Sequence, residues 1–201
     1  MTVADLDGFR DAYSAGSLTW AEHRRFYDEV IYPVAPDQNY SSPRLVNEFL
    51  AWADPVTVYE LGGWDGHLAR QVMTPSIVSW LNVEVADVPQ ICGLPGYERV
   101  IPDDWPWREP IRADAFVASH VLEHLTEAHL TELLDVLDCE YAYVDVPLGE
   151  ERTSWASTTT THVLPLSIGE FDGLWESRGW MVERRYFRDE VIPSQVRFYG
   201  R

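Results

Sequence analysis

The sequence predicts an α/β protein: a three-layer, doubly wound sheet, mainly parallel, with an antiparallel strand pair near the C-terminus. Three observations carry this. Short β-branched and aromatic runs alternate with amphipathic helical segments between residues 56 and 179, the pattern of strand–helix–strand units. The run Val56–Leu61 passes at once into a glycine turn and a helix start. Two β-rich runs, Trp180–Phe187 and Gln195–Tyr199, are separated by a turn containing Pro193 and Ser194, which predicts an antiparallel pair.

The elements follow in order. Residues 1–50 read as a helical segment packed on a core of residues 51–201, one globular unit in all. Thr19-Trp20-Ala21-Glu22 has the form of a capping box, opening a helix to about Ile31 that Pro33 and Pro36 end. Ser42-Pro43 reads as N-cap and first turn of a helix over Arg44–Ala53, with Leu45, Phe49 and Trp52 on one face. Val56–Leu61 is the first strand, and Asp65 the expected N-cap of a helix to Val72. Ile77–Val85, Arg99–Ile101 and Ala113–Ser119 are strands two to four. Thr126 caps a helix to about Leu137, and Glu140–Val146 is a fifth strand stopped by Pro147. Ser167 and Glu170 form a second capping box, whose helix ends near Gly179. Pro147–Thr161, the longest irregular stretch, is a candidate lid.

Composition narrows the function. A chain of 201 residues, 46% hydrophobic and 13% aromatic, can bury a substantial core. Its net charge of −18 opposes nucleic-acid backbones, which are bound largely through Lys and Arg. No lysine occurs, which excludes Schiff-base chemistry and a phosphate-loop lysine. Cys92 and Cys139 fit no metal spacing and read as inert thiols of a reducing compartment. Neither a secretory signal nor a membrane-length apolar run is present, so a cytoplasmic setting is expected. Oligomeric state is not legible.

In a parallel sheet, ligands sit at the carboxyl ends of strands. Glu60-Leu61-Gly62-Gly63-Trp64-Asp65-Gly66 ends the first strand, Glu84 the second, and Ser119-His120-Val121-Leu122-Glu123-His124 the fourth. Taken together with the C-terminal pair, these motifs resemble the class I S-adenosylmethionine-dependent methyltransferases over roughly residues 43–201. The resemblance implies a Rossmann-like seven-stranded sheet and S-adenosylmethionine as cofactor. It implies cofactor contacts from Glu60, Gly62, Gly63, Trp64, Gly66 and Ser119. Glu84 would accept both ribose hydroxyls, Asp104 the adenine amino group, and Trp105 would cover the adenine face. His120, His124 and His162 are the candidate bases for deprotonating an acceptor.

The expected acceptor is a small or sugar-like molecule, methylated on O or N. Neither a nucleic-acid amino-methylation motif nor a Pro-Cys nucleophile is present. His120, Glu123, His124 and His162 also resemble the Glu-x-x-Glu-His…His set of metal-dependent O-methyltransferases, with His120 in place of the first acid. A divalent metal is therefore an alternative to structural roles for Glu123 and His124. Trp64 stands where the family loop has a middle glycine. A tryptophan at positive φ is strained, so a negative φ or a distorted loop is expected. Its indole could pack on the N-terminal helices, wall the acceptor pocket, or fill the cofactor cleft. The last of these corresponds to a non-catalytic binding protein on the same fold.

Overall fold

The computed structural model describes residues 6–31, 41–147, 164, 166–188 and 194–201. Its strands, in chain order, are β1 (Thr57–Leu61), β2 (Ser79–Val83), β3 (Tyr97–Val100), β4 (Ile111–Arg112), β5 (Ala115–Ser119), β6 (Leu137–Asp138), β7 (Tyr141–Val146), β8 (Met181–Arg188) and β9 (Ser194–Gly200). Seven of them form one sheet in the order β3-β2-β1-β5-β7-β9-β8. The first five of that row are parallel, and β9 inserts antiparallel between β7 and β8. The expected parallel sheet with an antiparallel pair is what forms. The two-residue parallel pair β4–β6 was not expected, being too short to leave a period in the sequence.

Successive residues on a strand face opposite sides, and the two cores divide accordingly. Val58, Ala115, Val117 and Tyr143 pack with α3 (Pro43–Ala53) and α4 (His67–Val72). Tyr59, Phe116, Ala118 and Val144 face α1 (Leu6–Ser14), α2 (Trp20–Phe26), α5 (Glu127–Val136) and α6 (Ile168–Glu176). Both sequence-read capping boxes make their two reciprocal bonds, at Thr19/Glu22 and Ser167/Glu170.

Two local readings need correction. The N-cap of α4 is Gly66 in a left-handed conformation, while Asp65 accepts the His67 N–H at 2.9 Å from one residue earlier. The loop must turn sharply to meet the helix, and glycine takes that turn at least cost. Past Phe26 the helix widens into a π turn, Tyr27–Ile31, rather than continuing as α-helix. The candidate lid lies outside the described residues except for Pro147. Among the described residues, no helix is long and apolar enough to cross a membrane.

Candidate functional site

The site lies at the carboxyl ends of β1, β2 and β5. There the chain runs through Gly62 (φ 71°), Gly63, Trp64 (φ 52°) and Gly66 (φ 84°). A Cβ on Gly62 would overlap the Val121 side chain, and one on Gly63 the Glu60 carboxyl group. The loop is thus pressed onto its own scaffold. Gly63 N–H donates to Asn82 Oδ1 at 3.0 Å, and Asn82 Nδ2 donates to the Tyr97 hydroxyl at 2.9 Å. Side chains of β2 and β3 thereby hold the loop from below.

Trp64 does not avoid positive φ; it adopts it, at a cost of about 1–2 kcal/mol for a residue with a Cβ. The compensation comes from Glu84, whose Oε2 accepts the Trp64 N–H at 2.7 Å. Glu84 Oε1 accepts from Val85 and Ala86 N–H at 2.7 and 3.1 Å. The carboxylate is only 3% exposed. Burial pushes its pKa up from the ordinary carboxylate value, and the three N–H groups pull against that. A carboxylate offers about four lone-pair positions. Three are used here, so a grip on both ribose hydroxyls would require releasing a main-chain donor.

Glu84 borders a cavity of about 90 Å3. Gly62, Trp64 and Val85 line it, together with Trp105, Trp107, Val121 and His124. Trp20, His23 and Tyr27, from α2 and its π turn, also line it. A second cavity of about 50 Å3 lies on the other side of Trp64, lined by Ser41, Glu60, Gly63, His67 and Ser119. Ser119 Oγ is buried there with no hydrogen-bond partner among the described residues. Gly62, Trp64 and His120 border both cavities, so these three divide one cleft into an aromatic half and a polar half.

His120 follows β5 at φ 54°, its N–H donating to the Asp145 carbonyl at 2.8 Å. Glu123 Oε1 lies 3.5 Å from Nδ1, and Asp145 Oδ1 lies 3.7 Å from Nε2. Burial alone would lower this imidazole, but the Glu123 and Asp145 carboxylates turn the balance upward. His124 lies edge-on to the Tyr27 ring and borders the aromatic cavity. His162 lies outside the described residues.

Glu60 packs its carboxyl group against Gly63 of the loop and lines the polar cavity. It is 2% exposed and accepts the Trp80 indole N–H at 2.7 Å. Burial, with Glu84 and Asp65 nearby and the Trp80 bond opposing, raises its pKa to about 7. The fold therefore holds more protons than the unfolded chain between about pH 4.5 and 7, and stability falls as pH rises through that window. Glu60→Gln keeps the acceptor for Trp80. Urea unfolding is expected to show a gain on the order of 1–3 kcal/mol at pH 8 and none near pH 4.

No protein-family model matches the sequence, and no curated protein matches it. Solved structures do match. The methyltransferase domain of a bacterial Hen1 protein aligns with a TM-score of 0.58 and 19% identity, covering 79% of this chain and 97% of that one. Magnesium protoporphyrin IX methyltransferase from Synechocystis, with bound SAH, gives 0.58 and 15%, covering 98% and 100%. Human N-acetylserotonin methyltransferase, in complex with SAM, gives 0.59 and 15%; the whole chain is covered but only 60% of the human one. The fold is that of the class I S-adenosylmethionine-dependent methyltransferases.

Within this methyltransferase fold the expected site residues separate. Glu84, Trp105 and His124 line the aromatic cavity alone, Gly63, Glu60 and Ser119 the polar one alone, and Gly62, Trp64 and His120 both. Gly66 borders neither; a Cβ there would overlap the Tyr97 hydroxyl. Asp104 also borders neither. It is exposed, with Oδ1 on the Trp105 N–H at 2.7 Å and Oδ2 4.0 Å from Arg108. Trp105 is buried within a group of rings that includes Tyr13, Trp20, His23 and His129. The sequence reading missed Trp20, His23 and Tyr27, although their spacing down one face of a capped helix was visible. Among the described residues, no group of three His, Cys, Asp or Glu side chains could hold a metal ion.

Proposed function

We propose that this protein is an S-adenosylmethionine-dependent methyltransferase acting on an oxygen or nitrogen of a small-molecule or sugar-like acceptor. The observation that carries the reading is the buried Glu84 carboxylate, set at the end of β2 on the rim of an aromatic cavity. A carboxylate beside flat apolar walls fits a ribose and a purine, and the unpartnered Ser119 hydroxyl in the polar half fits the amino-acid end. Structural neighbours whose names include SAM or SAH support the same reading.

When bound, the cofactor supplies an activated methyl group on a sulfonium whose departure leaves a neutral thioether. The protein's part is placement, which contributes on the order of 7–11 kcal/mol when reactants are aligned. Glu84 would accept a ribose hydroxyl at its remaining lone pair. Trp105 and Val85 would shield the base from water. His124 would take the acceptor's proton as the acceptor attacks the methyl carbon.

One observation favours the non-catalytic reading. Trp64 N–H occupies Glu84, and Trp64 borders both halves of the cleft. Calorimetry with S-adenosylhomocysteine decides between them. Heat of binding with a Kd below about 1 mM, a binding free energy near −4 kcal/mol, is expected of the wild type. No heat from the wild type, with binding appearing only in Trp64→Gly, would mean a cleft closed by its own indole.

A further inference from the structure

We propose that His23, carried on α2, is the hydrogen-bond acceptor for the exocyclic amino group of the adenine, the task assigned from sequence to Asp104. The inference rests on the methyltransferase reading. Asp104 is turned to solvent, satisfied by its own turn and absent from the cavity. A purine in the aromatic half therefore needs another acceptor at its amino edge.

His23 meets the requirements. It borders the cavity alongside Trp105 and Glu84, with its ring 5.1 Å from that of Trp105. The residue is 5% exposed, and its Nδ1 has no hydrogen-bond partner among the described residues. Buried polar groups are nearly always paired, and the ring of this cavity-lining residue keeps a nitrogen that nothing among the described residues occupies. Burial lowers the imidazole pKa to about 3; the ring is neutral at physiological pH and retains an acceptor nitrogen.

The helix is fastened where this role needs it. Trp20 Nε1 donates to the Pro102 carbonyl at 2.7 Å, on the rim beyond β3. Asp28 Oδ1 accepts the Asp87 N–H at 2.9 Å, on the rim beyond β2. His23 lies between the two anchors, and the π turn begins at Tyr27. Single π turns inside helices frequently mark functional sites.

The test is calorimetry on the full chain with two probes: S-adenosylhomocysteine and its 6-deamino purine analogue. Wild type is expected to prefer the amino compound about 10-fold, or about 1.4 kcal/mol. His23→Leu should bring the two within about 2-fold by weakening only the amino compound, the size expected for one hydrogen bond. His23→Gln, which keeps an acceptor, should retain part of the preference, and Asp104→Ala, which removes the carboxylate, should retain all of it. An unchanged preference in a folded His23→Leu protein, or its loss in Asp104→Ala, would overturn the assignment while leaving the methyltransferase reading intact. Wild type that binds neither probe would overturn both.

Discussion

Gly62→Ala is expected to lower the unfolding free energy by about 2–5 kcal/mol, the sum of a left-handed backbone and an overfilled core. Gly62 stands at φ 71°, and a Cβ there would overlap Val121, a short, stiff side chain with little room to move. Val121 also borders the aromatic cavity, so relief of the overlap would distort the wall as well as the loop. For a domain of this size the melting temperature should fall by on the order of 5–15 °C. Gly173→Ala is the matching control. Gly173 lies within α6, with nothing near its missing Cβ, and alanine there should stabilise by roughly 0.5–1 kcal/mol. Thermal or urea unfolding of the two variants should therefore move in opposite directions. Equal effects would show that the loop yields where the packing says it cannot.

Glu84→Ala should combine two losses. The backbone N–H groups of Trp64, Val85 and Ala86 would lose their acceptor, and buried donors left unpaired cost on the order of 1–3 kcal/mol each before water or rearrangement repairs them. Trp64 would also lose the bond that offsets its left-handed backbone. A fall of about 3 kcal/mol in unfolding free energy is expected, with S-adenosylhomocysteine binding weakened about 100-fold or more, near 2.8 kcal/mol. A folded Glu84→Ala protein that binds as wild type would remove Glu84 from the site altogether.

The fold was open to sequence reasoning because its signals are local. Thr19/Glu22 and Ser167/Glu170 announce their helices through contacts three residues apart. The β5 strand announces itself as an apolar run, Ala115–Ala118, and β1 and β7 as β-branched and aromatic runs each broken by a single acid, Glu60 and Asp145, as buried parallel strands do. The site was less open because its decisive facts are directional. Nothing local says that Asp104 faces water while the neighbouring Trp105 faces inward. Nor does anything local say that Glu84 is already engaged by the loop it follows in space. Trp64 shows the limit most clearly. The sequence argued for a negative φ or a distorted loop there, whereas the chain takes φ 52°, and the acceptor that sustains it comes from 20 residues away. The candidate base His120 was chosen for its ordinary pKa, and Glu123 and Asp145 become its neighbours only once β5 and β7 pair.

The insertion of β9 between β7 and β8 has a consequence for the order of folding. The β8–β9 hairpin joins residues close in sequence and can form on a microsecond scale. The parallel β1–β2–β5–β7 platform depends on distant pairings and assembles more slowly. Until the two meet, β7 is an open edge carrying Tyr143 and Val144, with a full row of unpaired main-chain groups. Docking of the hairpin closes that edge along six residue pairs, Tyr141 with Gly200 through Val146 with Gln195. During synthesis the edge therefore stays open until the last of these strands has left the ribosome, and that interval is when the nascent chain is most exposed to pairing with another copy of itself.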